Sequence, residues 1–216
     1  MINHIKYKPK FIIFDWDNTL VDSWPLIQES FNHTASILGL KTFSKIEVIN
    51  QVGYAIRSSF PNIFGNLASK AQEIYAEYYL ANYMARLKLL PYAHEILNYL
   101  TNLKIPLFIV SNKKGASVRR ETKALKINQY FSNIIGSLDT NYDKPNIAPV
   151  IKALESHSYN EADTKNILFI GDSLVDYECA QNLGMQSILV NSSSETKVKA
   201  VKAKIISDLA ELKALI

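Results

Sequence analysis

The sequence predicts an α/β protein: an open parallel sheet flanked by helices and interrupted near its start by a purely helical insertion. Three observations predict it. The apolar run Phe11-Ile12-Ile13-Phe14 stops at a pair of carboxylates, Asp15 and Asp17, two positions apart. After Leu20 the pattern turns helical and stays so until about Leu87. From Leu90 onward strand-like and helix-like segments alternate in the manner of successive parallel α/β units.

Each element follows from local pattern. Phe11–Phe14 is short, uncharged and bulky, as a buried strand requires. Pro25 near the start and Gly39 near the end bracket a helix whose Leu26, Ile27, Phe31, Ala35 and Leu38 form one stripe. Shorter helices are expected around Lys45 to Gln51 and Ala55 to Phe60. A longer one runs from about Ser69 to Leu87, and its Tyr75, Tyr78, Tyr79 and Tyr83 are expected to be packing surface. Pro91 opens a helix to Leu103, and the strand Ile105 to Val110 follows. A helix from Ala116 to Leu125, a short strand at Ile134-Ile135 and a helix from Ile147 to Leu154 continue the alternation. Then come the strand Ile167 to Ile170, the helix Ser173 to Leu183, the strand Ser187 to Val190 and a last strand and helix between Lys204 and Leu215. One core domain, residues 1–20 and 89–216, is therefore expected to be split by a helical cap, residues 21–88.

A chain of 216 residues can bury one substantial core and a smaller appendage. The net charge of +4 is modest, and lysines such as those from Lys197 to Lys204 fall on solvated faces. That is not the dense basic stripe of a nucleic-acid groove, so no nucleic-acid partner is expected. Cys179 is the only cysteine, which excludes an internal disulfide and fits a reducing, cytoplasmic setting; a small buried thiol is expected there. His4, His33, His94 and His157 are too dispersed for a zinc site. The first apolar run ends too soon for an export signal, and no run is long enough to span a membrane.

Alternation along an extended chain points Asp15 and Asp17 the same way, out of the carboxyl edge where open α/β sheets bind ligands. With Thr19 added, Asp-x-Asp-x-Thr is expected by chance only about 0.03 times in a chain of this length. Three more segments follow in order: Ser111-Asn112 after a strand, Lys144-Pro145, and Gly171-Asp172-Ser173-Leu174-Val175-Asp176 after the next long apolar strand. In type and order these four segments resemble the motifs of the haloacid dehalogenase superfamily. The resemblance covers nearly the whole chain and points to the helical-capped, phosphoglycolate-phosphatase-like branch. It implies a Rossmann-like parallel-sheet core with an inserted all-helical cap, acting on a small-molecule phosphate ester.

The resemblance makes Asp15 the nucleophile, which splits hydrolysis into two steps through an aspartyl-phosphate. A dianionic phosphate approaching it meets repulsion: one pair of unit charges at about 4 Å and an effective dielectric near 20 costs about 4 kcal/mol. Cations are therefore required. Asp172 can join Asp15 in holding one hard cation through oxygen ligands. The resemblance implies Mg²⁺, with the backbone carbonyl of Asp17 as a third ligand and Asp176 supporting from the outer shell. By the same match Lys144 supplies a positive charge to the nucleophile and the phosphoryl oxygens. The Ser111 hydroxyl and the amides around Asn112 can bind a phosphoryl oxygen at a strand-to-helix junction, although an isolated Ser-Asn pair would read as a helix cap. Asp17 is expected to protonate the leaving alcohol and then activate water; relatives that cleave carbon–halogen or carbon–phosphorus bonds lack an acid there. In the cap, Gly53-Tyr54-Ala55-Ile56-Arg57 looks like the segment that faces the site, with Arg57 placed to meet a substrate carboxylate. Two other readings compete: a sugar-phosphate phosphomutase resembling the β-phosphoglucomutase branch, and an idle interaction protein on the same fold. The intact set Asp15, Asp17, Ser111, Lys144, Asp172 and Asp176 argues against the second.

Overall fold

The computed structural model describes residues 8–52, 56–190 and 203–216. Among them six strands form one parallel sheet: β1 (Phe11–Phe14), β2 (Leu107–Lys114), β3 (Phe131–Ser137), β4 (Ile167–Gly171), β5 (Gln186–Val190) and β6 (Lys204–Ile206). Between β1 and β2 lie α1 (Trp24–Ile37), α2 (Lys45–Val52), α3 (Ile56–Phe64), α4 (Ala68–Arg86) and α5 (Ala93–Asn102). Then α6 (Gly115–Ala124) follows β2, α7 (Ala148–Leu154) follows β3, α8 (Leu174–Leu183) follows β4, and α9 (Leu212–Leu215) comes last. The fold is the Rossmann-like α/β arrangement expected.

The spatial order is β3-β2-β1-β4-β5-β6. The chain thus winds outward from β1 to one side through β2 and β3, then returns to its other side for β4, β5 and β6. Strand order reverses between β1 and β4, which is where open α/β sheets place a ligand crevice. All four residues of β1 are buried, and their alternation feeds two cores. Ile12 and Phe14 join Ile96, Leu97 and Leu100 of α5 and Val118 of α6, while Phe11 and Ile13 join Val150 and Leu154 of α7 and Cys179 of α8.

The helices α1 to α4 have their own apolar cluster. Leu26, Ile27 and Phe31 meet Phe60, Phe64, Ala71, Tyr75, Tyr79 and Tyr83 there. The tyrosine stripe of α4 is packing surface, as expected: Tyr75 stacks on Tyr79 and Tyr79 on Tyr83, with centroids 5.9 and 6.3 Å apart. The chain leaves and re-enters the sheet region along one short seam. Leu90 N–H donates to the Leu20 carbonyl at 2.9 Å, Asp22 N–H donates to the Lys88 carbonyl at 3.1 Å, and Val21 pairs antiparallel with Leu89.

Some boundaries differ from the sequence reading. The third helix continues through Pro61 to Phe64, although proline leaves one carbonyl of the first turn without its helical donor. Burial of Phe60 and Phe64 in the aromatic cluster offsets that loss. The expected strand Ile105 to Val110 begins at Leu107 and runs to Lys114, and β3 is longer than Ile134-Ile135. Helix α5 starts at Ala93, because Tyr92 takes a left-handed conformation at φ 64° just after Pro91. Gly53, Tyr54 and Ala55 of the expected site-facing segment, and Lys197 to Lys202, lie outside the described residues.

Candidate active site

Four backbone features at the carboxyl edge of the sheet bring the charged residues together. The first is the loop after β1. Asp15 N–H still pairs with the Ile170 carbonyl at 2.8 Å, and then the amides of Leu20 and Val21 both turn back onto the Trp16 carbonyl, at 3.0 and 3.3 Å. Asn18 takes a left-handed conformation, φ 61°, which asparagine tolerates better than most residues. Its Oδ1 accepts from Ser23 N–H at 3.2 Å and so ties the loop to the start of α1. Thr19 is fully buried, and its Oγ1 has no partner among the described residues.

The second feature is a bulge. Val110 faces Ile135 and Lys114 faces Ser137, so β2 takes four residue steps where β3 takes two. Ser111, Asn112 and Lys113 occupy the excess and are pushed out of the ladder. Gly136 of β3 makes room for them, since a Cβ there would fall on the Lys113 carbonyl and the Gly115 backbone. Ser111 and Asn112 both lie in β2, and the residue preceding α6 is Lys114, so neither caps that helix.

The third and fourth features fix Asp176 and Lys144. Ser173 and Asp176 form a reciprocal capping box at the start of α8, with Asp176 Oδ2 accepting from Ser173 N–H at 3.0 Å and from Ser173 Oγ at 2.6 Å. Gly171 is required beneath it, because a Cβ there would collide with the Asp176 side chain. Lys144 is held through its backbone by Asn112: Lys144 N–H donates to Asn112 Oδ1 at 2.9 Å, and Asn112 Nδ2 donates to the Lys144 carbonyl at 3.1 Å. The Asn112 side chain therefore acts on the loop that carries Lys144. The Lys144-Pro145 peptide bond is cis.

Two charge networks result. In the first, Lys144 Nζ donates to Asp15 Oδ1 at 2.7 Å and to Asp176 Oδ1 at 2.6 Å, all three side chains being nearly or wholly buried. Asp172 lies beside them, and oxygens of Asp15, Asp172 and Asp176 come within 4.8 Å of one another. Burial, with the neighbouring carboxylates, pushes the Asp15 carboxyl up to about 7 against the pull of Lys144, and the Asp172 carboxyl up likewise. Burial alone would lower the Lys144 ammonium, but Asp15 and Asp176 overcome it and hold it above the ordinary lysine range.

The second network surrounds Asp17. Its Oδ1 accepts from Lys113 Nζ at 3.0 Å and from the Ser23 hydroxyl. Lys113 also donates to Glu121 Oε2 at 2.8 Å and to the Tyr79 hydroxyl at 2.7 Å, and Trp16 Nε1 donates to the same Glu121 oxygen at 2.6 Å. Lys113 therefore links β2, α4, α6 and the loop after β1. The sequence reading passed over it, although alternation puts Lys113 on the same side as Ser111.

All the expected site residues line one cavity of about 370 Å³, including Arg57, Ser111 and Asp172. Arg57, expected to meet a substrate carboxylate, ion-pairs with Asp143 through Nε, and its Nη2 is buried without a partner among the described residues. Cys179 is buried, and burial pushes its thiol up to about 12. His33, His94 and His157 each pack against an aromatic ring, and His4 lies outside the described residues. Among the described residues no helix is long and apolar enough to cross a membrane.

The cluster fits a hard cation on its own evidence. Three buried carboxylates crowd together, one lysine pairs with only two of them, and no donor among the described residues reaches the Asp172 side chain, so a divalent cation there would supply the charge that lets all three ionise. A parallel α/β sheet with such a carboxylate–lysine cluster at its switch point defines a class of enzymes whose chemistry runs on buried carboxylates.

Comparison with known proteins narrows the class. The profile of the haloacid dehalogenase-like hydrolases matches residues 12–190, and the chain belongs to that family. It is 29% identical over 179 residues to the pyrophosphatase PpaX of Oceanobacillus iheyensis, covering 83% of this chain and 82% of that protein. It is 26% identical over 181 residues to the phosphoglycolate phosphatase of Aquifex aeolicus, covering 83% and 84%. A haloacid dehalogenase-like hydrolase from Streptococcus pneumoniae superposes with a TM-score of 0.80 at 25% identity, over 94% of this chain and 98% of that one. The chain is thus a hydrolase on the phosphatase side of its family.

Proposed function

We propose that this protein is a Mg²⁺-dependent phosphatase that hydrolyses a small soluble phosphate monoester through an aspartyl-phosphate on Asp15. The observation that carries the reading is the buried cluster in which Lys144 bridges Asp15 and Asp176 beside Asp172. Such an arrangement places a buried carboxylate for attack, and a divalent cation beside it would supply the positive charge that keeps it ionised. Asp15, Asp172 and the Asp17 carbonyl would hold Mg²⁺, with Asp176 in support. Bound there, Mg²⁺ would offset phosphate charge and orient the phosphoryl oxygens.

The chain's own groups perform the rest. Asp15 attacks phosphorus as the ester oxygen departs, and Asp17 gives that oxygen a proton. Among the described residues the two donors that reach Asp17 both meet Oδ1, which leaves Oδ2 as its edge for proton transfer. Asp17 then takes a proton from water as the water attacks the aspartyl-phosphate, restoring Asp15. Lys144 steadies the nucleophile, and the Ser111 hydroxyl, with the amides of the bulge, receives a phosphoryl oxygen. In this reading residues 21–88 are a cap over a core formed by 1–20 and 89–216; the short seam at Leu20–Asp22 and Lys88–Leu90 supports that division. The buried thiol of Cys179 supports a cytoplasmic setting.

A phosphate-release panel with and without Mg²⁺ tests the reading. Phosphoglycolate and pyrophosphate come first, because relatives carry those names. Mg²⁺-dependent release from at least one monoester is expected. Transfer to a sugar-phosphate hydroxyl that requires a bisphosphate would replace the reading with a mutase. No turnover of any kind across the panel would end it.

A further inference from the structure

We infer that the ester group carried by the substrate is a neutral, ring-bearing alcohol of largely apolar surface rather than a short carboxylate. The inference rests on the phosphatase reading and deepens it. The cavity lining is of two kinds. Charged side chains, Asp15, Lys144 and Asp172 among them, come from the carboxyl edge of the sheet. Trp24, Ile27, Phe31, Tyr75, Tyr79 and Leu80 of the first and fourth helices form an apolar wall, interrupted by Gln72 and by the Tyr79 hydroxyl, which meets Lys113. A phosphoryl group held at those charged side chains directs the rest of its ester toward that wall. At about 370 Å³ the space lies within the range of sites that enclose drug-sized ligands. A two-carbon acid would leave most of that apolar wall uncovered.

The cations that line the cavity among the described residues support the same choice. Lys144 is matched by Asp15 and Asp176, Lys113 by Asp17 and Glu121, and Arg57 by Asp143. Lys114 also lines the cavity, but it is solvent-exposed and belongs to its rim. Arg57 Nη2, buried and without a partner among the described residues, offers one N–H whose charge Asp143 already offsets. A neutral acceptor on the ring suits it, such as a hydroxyl, a carbonyl or a ring nitrogen.

The test uses three alkyl esters that leave through the same kind of oxygen, so leaving-group chemistry is held constant: ethyl phosphate, phosphoglycolate and 2-phenylethyl phosphate, each with the wild-type protein in Mg²⁺. The expected order puts 2-phenylethyl phosphate at least about tenfold above phosphoglycolate in kcat/KM, since even single methylene contacts in a pocket can be worth that much. Leu80→Asp, at an exposed position that a charge can occupy without unfolding the protein, is expected to lower the 2-phenylethyl to ethyl ratio at least about fivefold. A kcat/KM for phosphoglycolate equal to or above that for 2-phenylethyl phosphate overturns the inference and leaves the phosphatase reading standing, as does an unchanged ratio in Leu80→Asp. Absence of phosphate release from all three esters overturns the inference, and the phosphatase reading falls with it only if the wider panel is inert as well.

Discussion

At Asp15 the charge required for attack is a charge that burial disfavours, and the two demands predict opposite effects of one substitution. Asp15→Asn keeps the volume but cannot form the acyl phosphate, so turnover should vanish. The same change removes a buried acid whose carboxyl is pushed up to about 7, so the metal-free variant should melt at least as high as wild type at pH 8. Steady-state assays and thermal melts on the one variant check both, and a variant that retains turnover would remove Asp15 from the nucleophile's place. For Asp17→Asn the expected loss is about 10² to 10⁴-fold on alkyl phosphates and smaller on an aryl phosphate, whose leaving group needs little protonation. Equal losses in the phosphoryl-transfer step count against Asp17 as the acid. Asp15, Asp17, Lys144 and Asp172 were legible in the sequence because each follows an apolar strand or stands in a fixed order with those that do. Lys113 was not, because it sits beside Lys114 and its partner Glu121 reads as an ordinary acid on the basic helix Gly115–Ala124. Arg57 lines the cavity, and its ion pair with Asp143 was not legible because the two lie 86 positions apart and no local pattern joins them.

Among the elements, β2 does most to shape the site, and its shape is a property of pairing rather than of its own residues. Periodicity located the strand; the extra residues at Ser111 to Lys113 appear only against β3. Gly136→Ala should therefore act at a distance of one strand. Its Cβ would press on backbone, which cannot rotate away, so a loss of about 1 to 3 kcal/mol is expected. It should come with a lower kcat, because Ser111 and Lys113 move together. Urea melts and kinetics on the same preparation check the pair; a stable variant with normal kcat would show that the bulge tolerates slack. Lys113 is the cross-element test. Its side chain and that of Glu121 are 12% and 1% exposed, so Lys113→Met leaves an almost fully buried carboxylate without its cation and should cost about 3 kcal/mol or more. Adding Glu121→Gln should recover part of that loss, and a double variant no more stable than Lys113→Met would mean that the ion pair is not the source.

Over the whole molecule, the acid cluster couples stability to pH and to metal in a direction that can be worked out. Asp15 has an ordinary value of 3.8 and is pushed up to about 7 in the fold, with Asp172 raised as well. Above about pH 4 the folded protein thus binds protons that the unfolded chain has released. The contribution of these groups is fully present below their unfolded value, and without metal it is lost as pH rises toward and through 7. Lys144 and Lys113, both held above the ordinary lysine range, keep their contribution throughout this window. Mg²⁺ reverses the trend, because it binds only the folded arrangement and requires the carboxylates deprotonated. At about a hundredfold excess over its dissociation constant it should add about 2.7 kcal/mol at pH 8, worth roughly 5 to 10 °C in a chain of this size. At pH 5 protons compete for the same oxygens, so the shift should be much smaller. Thermal melts at both pH values, with and without Mg²⁺, check the difference, and Asp172→Asn should abolish most of it while leaving the sheet intact. Equal stabilisation at pH 5 and pH 8, or a full Mg²⁺ shift in Asp172→Asn, would place the cation away from the cluster and return its negative charge to Lys144 alone.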